Sequence, residues 1–209
     1  MEIMNEGYMS ILESIGSEAP TPGGGTVAAL TLAHAHSLAA MVSRLTIGKN
    51  KWQEGHEISN MIINSSEESL QRAIKLAEGD SLAFDKVIDS YRMPRSNDEE
   101  IESRKLAILE STIGAAKTPS EIADEGLKLL SLLPDLARYG NLNAITDLAA
   151  SSELAFTAVY IASLNVKINV DSMSDEELNK IQNNTTIILT KSQELIMLIR
   201  EIVSRRMAT

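Results

Sequence analysis

Apolar residues recur at steps of three and four along most of this chain and rarely alternate with polar ones. That period is helical. It is clearest near the C-terminus, where Leu178, Ile181, Thr185, Ile188, Ser192, Leu195, Ile199 and Ile202 make one seam. A helix over 175–206 would be a rod of about 48 Å, long enough to lie along a bundle or against a second subunit. Arg200, Arg205 and Arg206 fall at its C-terminal end, where the helix dipole favours cations. The pattern predicts further helices over 2–15, 26–47, 52–78, 80–92, 98–117, 119–138 and 142–164. Three capping boxes mark helix starts: Asn97 with Glu100, Thr118 with Pro119 and Glu121, and Ser174 with Glu177. Gly48, Pro94 and Gly140 mark stops. Neither a repeat nor a linker divides the chain. The expectation is an all-α, single-domain helical bundle over residues 1–209, with a long C-terminal helix.

Composition narrows the function classes. The chain has 209 residues, no cysteine, 3% aromatics and a formal net charge of −10. Nucleic acid and anionic membrane surfaces want a basic face, so neither is an expected partner. The absence of thiols excludes disulfides and cysteine-based metal sites. The longest apolar run, Val27–Met41, is broken by Thr31, His34, His36 and Ser37. It reads as a buried core helix rather than a membrane span. The acidic start lacks the profile of a signal peptide, so the expected location is cytoplasmic.

Candidate chemistry sits in three places. In Pro20-Thr21-Pro22-Gly23-Gly24-Gly25-Thr26 two prolines stiffen a glycine run that opens a long helix. Its free N–H groups could meet an anion or carbonyl, or the run could be a tight turn between packed helices. Gly23-x-Gly25-x-x-Ala28 lacks the preceding strand of a dinucleotide fold. Gly48-Lys49 lacks the rest of a P-loop. Asp80, Phe84, Val87 and Tyr91 share a helical face, so Asp80 leads towards a core or cleft, where burial would raise its pKa. On spacing alone, a cap after Gly79 is the simpler account of Asp80. In Gly140-Asn141-Leu142-Asn143-Ala144-Ile145-Thr146-Asp147, Asn143 and Asp147 share a face and could orient a polar heterocycle, or cap the helix. Asn165 and Asn169 read as a turn ending an apolar helix. His34 and His36 point to nearly opposite sides of one helix and His56 stands alone, so no metal site is expected.

Taken in order, Pro22-Gly23-Gly24-Gly25-Thr26, Leu45-Thr46-x-Gly48-Lys49, Asp80-x-x-Ala83-Phe84, Tyr91-Arg92-Met93-Pro94, Gly140-Asn141-Leu142-x-x-x-x-Asp147 and Asn165-Val166-x-Ile168-Asn169 resemble the formiminotransferase-cyclodeaminase C-terminal domain family. That family includes free-standing methenyltetrahydrofolate cyclohydrolases. No single motif decides the resemblance; their order over nearly the whole chain does. Thr26 and Met93 stand where the family commonly has serine and leucine.

The resemblance implies an all-helical homodimer acting on a reduced folate, with the folate as substrate and no metal or organic cofactor. A cyclodeaminase closes 5-formimidoyltetrahydrofolate to 5,10-methenyltetrahydrofolate and releases ammonia; a cyclohydrolase adds water to the methenyl bridge. It implies that Asp80 is the catalytic acid/base, which reverses the balance between catalysis and capping. Pro22, Gly23, Gly24, Gly25, Thr26, Phe84, Asn141, Asn143, Asp147 and Asn165 are the expected substrate contacts. Folates carry one or several glutamates, and Lys49, Arg92 and Arg95 are the nearest candidate cations. Lacking a formiminotransferase domain, the chain is expected to have one or other single activity. The alternatives are a catalytically inactive folate-binding or helical scaffold protein, and an all-helical interaction module with no folate link that rests on the seam at 178–202.

Overall fold

The structure is a computed structural model that describes residues 6–208. Six α-helices make up the described chain: α1 (Glu6–Ile15), α2 (Gly24–Thr46), α3 (His56–Arg92), α4 (Asp98–Tyr139), α5 (Ile145–Val170) and α6 (Glu176–Met207). Short 3-10 helices at Asn50–Gly55 and Leu142–Ala144 lead into α3 and α5. Among the described residues there is no strand. The start of the predicted first helix, at residues 2–5, lies outside the described residues.

The core is built from small side chains. Ala28, Ala29, Leu32, Ala35 and Ala39 of α2 are fully buried, as are Ala155, Ala158, Val159 and Ala162 of α5. Small residues let helix backbones approach closely, and this aromatic-poor chain fills its core that way. Ser151 of α5 donates to the carbonyl of Ala35 at 2.7 Å, a bond possible only at close range. At Gly126 of α4 an added Cβ would lie 2.5 Å from Val159 Cγ2. α2 packs between α3 and α5; α4 lies against α3, α5 and α6. Among the described residues α2 is the one helix long and apolar enough to cross a bilayer, contrary to the polar reading of its sequence. Packed between its neighbours, it is the core helix. α1 touches the bundle only sparsely and leaves Tyr8, Ile11 and Leu12 exposed.

The C-terminal seam is confirmed. Leu178, Thr185, Ile188, Ser192, Ile199 and Ile202 are buried, and the rod packs on α4 and α5 of its own chain. Arg206 pins its end by donating to the carbonyls of Ala137 (2.6 Å) and Gly140 (2.9 Å). Asn97 caps α4 as predicted, its Oδ1 accepting from the Glu100 N–H at 2.9 Å. The cap of α6 is Asp175 rather than Ser174.

Three predicted breaks are absent. Helices expected over 52–78 and 80–92 are one helix, α3, through Gly79; a glycine costs about 1 kcal/mol in a helix interior, which packing overrides. Asp80 is therefore mid-helix and does not cap its own helix. The pair expected over 98–117 and 119–138 is also one helix, α4, with Pro119 buried inside it. Proline cannot donate to the carbonyl four residues back. That carbonyl, on Ala115, instead accepts from Asn169 Nδ2 at 3.0 Å. Asn165 and Asn169 accordingly lie within α5, not in a turn.

Candidate active site

The glycine run ends at the N-terminus of α2. Gly23 is its N-cap in extended geometry, and the first turn holds no acidic residue. A helix start leaves N–H groups without intrahelical partners and a partial positive charge. Asp80, reaching across from α3, supplies the missing carboxylate. It accepts from the Thr26 hydroxyl, Oγ1 to Oδ2 at 3.2 Å, and from the Thr26 backbone N–H. Ser81 Oγ lies 3.0 Å from Thr26 Oγ1. A hydroxyl has one proton, so when Thr26 donates to Asp80, Ser81 must donate to Thr26.

Gly25 makes this approach possible. An added Cβ there would fall 2.6 Å from Asp80 Cγ, closer than any real contact. The glycine thus serves a close approach between α2 and a carboxylate, and the helix start is also the anion-seeking end the sequence suggested. Asp80 is half-buried, and this burial pushes its carboxyl above the usual carboxylate range; the two bonds from Thr26 pull the other way and only partly offset it. Asn165 of α5 borders the same corner, its Nδ2 3.9 Å from where a Cβ on Gly24 would sit. Thr118 of α4 lies beside Gly79, its Cγ2 3.7 Å from where a Cβ on that glycine would sit.

The face expected to turn inward from Asp80 does not. Phe84 is 38% exposed and Tyr91 is more so, while Ala73, Leu76, Ala77 and Ser90 face the core. Phe84 therefore stands one turn beyond Asp80 with its ring half in solvent. Arg92 lies twelve residues beyond Asp80, about 18 Å along the helix. It is exposed and sits 3.6 Å from Asp89.

The remaining candidates gather elsewhere. Asn141 is 3% exposed, and its side chain is fully engaged. Its Nδ2 donates to Leu45 O at 2.9 Å and its Oδ1 accepts from the Asn143 N–H at 3.0 Å, while its backbone N–H donates to Thr46 Oγ1 at 3.0 Å. It ties the 3-10 turn to the C-terminal end of α2. Asn143 is exposed there, Asp147 is half-buried, and Lys49 leaves α2 three residues after its last helical residue. Nearby, Trp52 carries Lys51 at 4.8 Å and Arg206 at 5.6 Å from its ring centre; the sequence reading gave Arg206 only a helix-end role and did not single out Lys51. α2 separates this corner from Asp80 by about 30 Å. Within one chain, then, Pro22 to Thr26, Asp80 and Asn165 meet, with Phe84 one turn further along α3. Lys49, Asn141, Asn143 and Asp147 form a second group, and Arg92 joins neither. Ser81 was missed because it stands in no recognisable motif, and Thr118 was read only as a helix cap; only the packing of α3 and α4 brings them in.

The fold and sequence have known counterparts. A family model described as formiminotransferase-cyclodeaminase matches residues 8–186. The methenyltetrahydrofolate cyclohydrolase of Methylorubrum extorquens is 33% identical over 171 residues, covering 82% of each chain. The formimidoyltransferase-cyclodeaminase of Gallus gallus is 28% identical over 185 residues, 88% of this chain but 34% of that protein. Among solved structures, the formiminotetrahydrofolate cyclodeaminase of Thermotoga maritima superposes with a TM-score of 0.83 over 97% of both chains, at 24% identity.

Proposed function

The chain belongs to the formiminotransferase-cyclodeaminase family, and from that membership we propose that it makes or opens the 5,10-methenyl bridge of tetrahydrofolate with Asp80 as general acid/base. Hydrolysis of the bridge is the direction favoured by the likeness to the Methylorubrum cyclohydrolase, which spans most of both chains. Ammonia-releasing closure of a formimidoyl group is the second reading, carried by the likeness to the Gallus protein over a third of its length.

The observation that carries the proposal is the Asp80 carboxyl held above the usual range at the start of α2. In hydrolysis a water adds to the cationic methenyl carbon and must lose a proton. In closure N10 adds to the formimidoyl carbon and loses a proton, while the departing amine gains one. A carboxylate of raised pKa can take and return that proton, typically for 10²–10⁴-fold in rate. Its negative charge also stabilises the cationic bridge. The Ser81–Thr26 hydroxyl pair aims Asp80, and the unpartnered N–H groups of Gly24 and Gly25 can hold a ligand carbonyl or carboxylate. The Phe84 ring, one turn away, offers a face to a flat heterocycle. The test is absorbance. Loss of the methenyl chromophore from 5,10-methenyltetrahydrofolate, faster than without enzyme, marks hydrolysis; its appearance from 5-formimidoyltetrahydrofolate with ammonia release marks closure. Neither signal from folded protein would overturn the proposal.

A homodimer follows from the same reading. Two groups of candidate residues lie at opposite ends of α2, and a two-fold pairing of antiparallel copies would lay one against the other. Exposed Leu82, Phe84 and Tyr91 on α3, with Tyr8, Ile11 and Leu12 on α1, provide apolar surface for such a pairing. The expected result is complementation. Asp80→Asn and Asp147→Ala proteins, each inactive, should regain about a quarter of wild-type activity after subunit exchange, because half the dimers are hybrids with one intact site of two. Activity that stays at the level of the separate variants would show that each site is built from one chain.

A further inference from the structure

The proposed chemistry leaves a proton over. In hydrolysis the methenyl cation and a water become a neutral formyl group. A C–O bond forms and the bond from the carbon to N5 breaks. One hydrogen of the water ends on N5 and the other leaves as a proton. Closure runs the count the other way. The bond from N10 to the carbon forms, the bond from the carbon to the imino nitrogen breaks, and a neutral formimidoyl group takes up one proton to give the methenyl cation and ammonia. In either direction one proton crosses between the site and solvent in each turnover. Asp80 can take a proton and return it, but the net proton has to travel further.

Two hydroxyls lead away from Asp80. α2 lies against one side of the carboxyl, so close that a Cβ on Gly25 would fall 2.6 Å from Asp80 Cγ. A reacting substrate must cover the open side, since proton transfer needs hydrogen-bond reach. Thr26 Oγ1 lies 3.2 Å from Asp80 Oδ2, and Ser81 Oγ lies 3.0 Å from Thr26 Oγ1. Thr26 is 6% exposed, whereas Ser81 is only half-buried.

These hydroxyls are also uncommitted. Ser37, Ser65, Ser66 and Ser131 each donate to a backbone carbonyl three or four residues back, as helical serines commonly do. The Ser90–Ser111 pair, also 3.0 Å apart, shows the contrast: each has a carbonyl three residues back to take its proton. Among the described residues Ser81 Oγ bonds to Thr26 alone, and the Thr26 hydroxyl bonds to no carbonyl, so both protons can turn.

We propose that Thr26 and Ser81 form a proton relay between Asp80 and solvent that works while substrate fills the site; this rests on the reading of Asp80 as the acid/base. On the way out Asp80 gives its proton to Thr26 Oγ1, Thr26 gives its own to Ser81 Oγ, and Ser81 gives its own to solvent. The end state has Ser81 donating to Thr26 and Thr26 to the ionised carboxylate, as one proton per hydroxyl requires. Uptake for closure runs the same steps in reverse.

The test follows the methenyl chromophore in whichever direction the wild type turns over, at fixed pH and ionic strength. The rate without enzyme is subtracted at every buffer concentration. Ser81→Ala is expected to lower kcat about tenfold, less than the loss of Asp80 itself, with KM and Tm unchanged. Imidazole, a small proton carrier near neutrality, should restore its kcat in a saturable way. The bulkier buffer MOPS should not, and neither should alter the wild type. Ser81→Thr keeps a hydroxyl and should keep kcat. Unchanged kcat in Ser81→Ala would overturn the relay and leave Asp80 untouched. A loss that imidazole does not restore, or an equal loss in Ser81→Thr, would also overturn it and make Ser81 a clasp between α2 and α3. A wild type without turnover in either direction would overturn the acid/base reading itself, and the relay with it.

Discussion

Replacing Asp80 with asparagine is expected to lower kcat by about 10²–10⁴-fold while leaving the Tm at pH 7 equal to or above that of the wild type. The two halves of this expectation have one cause. Asparagine keeps an oxygen that can accept from the Thr26 hydroxyl and N–H, so the α2–α3 contact survives, but it cannot take a proton. The stability half follows from the sign of the pKa shift. Asp80 titrates higher in the folded chain than in the unfolded one, because burial disfavours its charge. The native state therefore holds the proton more tightly, and stability falls as pH rises from the unfolded carboxyl value through the raised folded value. Above that window the ionised group is a net cost that asparagine does not bear. Below it the two proteins should unfold alike as far as this group is concerned. Rate profiles complete the check: the acid limb of wild-type kcat/KM should lie above the usual carboxylate range and be missing from the residual activity of the variant. A drop in Tm equal to that of an ordinary core lesion, or unchanged turnover, would return Asp80 to a structural role.

Gly25→Ala should cost about 10²-fold in kcat through geometry alone. The new methyl would sit 2.6 Å from both Asp80 Cγ and Oδ2, so either the carboxylate swings away or α2 retreats. A displacement of about 1 Å at a reacting group costs this much. Gly24→Ala is the comparison: its Cβ would meet nothing closer than 3.9 Å and would leave Asp80 in place, so any loss should be smaller and fall on KM rather than kcat. Equal losses in both variants would mean that the loop's flexibility matters, not the Gly25–Asp80 approach.

Much of the fold was legible because helices are local. The seam of α6, the cap at Asn97 and the stop at Gly140 each depend on residues a few positions apart, and each is found where its spacing put it. The errors share one character. Gly79 and Thr118-Pro119 are strong local punctuation, and the long helices run through both. In α4 the reason is a side chain 54 positions away: Asn169 takes up the Ala115 carbonyl that Pro119 cannot. The same holds at the site. Asp80 was singled out from its helical face, yet that face carries an exposed Phe84 and Tyr91, and the burial of Asp80 comes from α2 instead.

The amino-acid sequence by itself determined the helical class, the extents of α2 and α6 and the motifs that carry the family resemblance, because each rests on short-range periodicity, capping and residue order. The tertiary structure alone decided that Gly25, Thr26, Asp80 and Ser81 form one corner, and that Asn141 and Asp147 lie at the far end of α2. Those relations depend on which helices pack together and how closely. A core of alanines and serines allows backbone-to-backbone approaches that no spacing along the chain encodes.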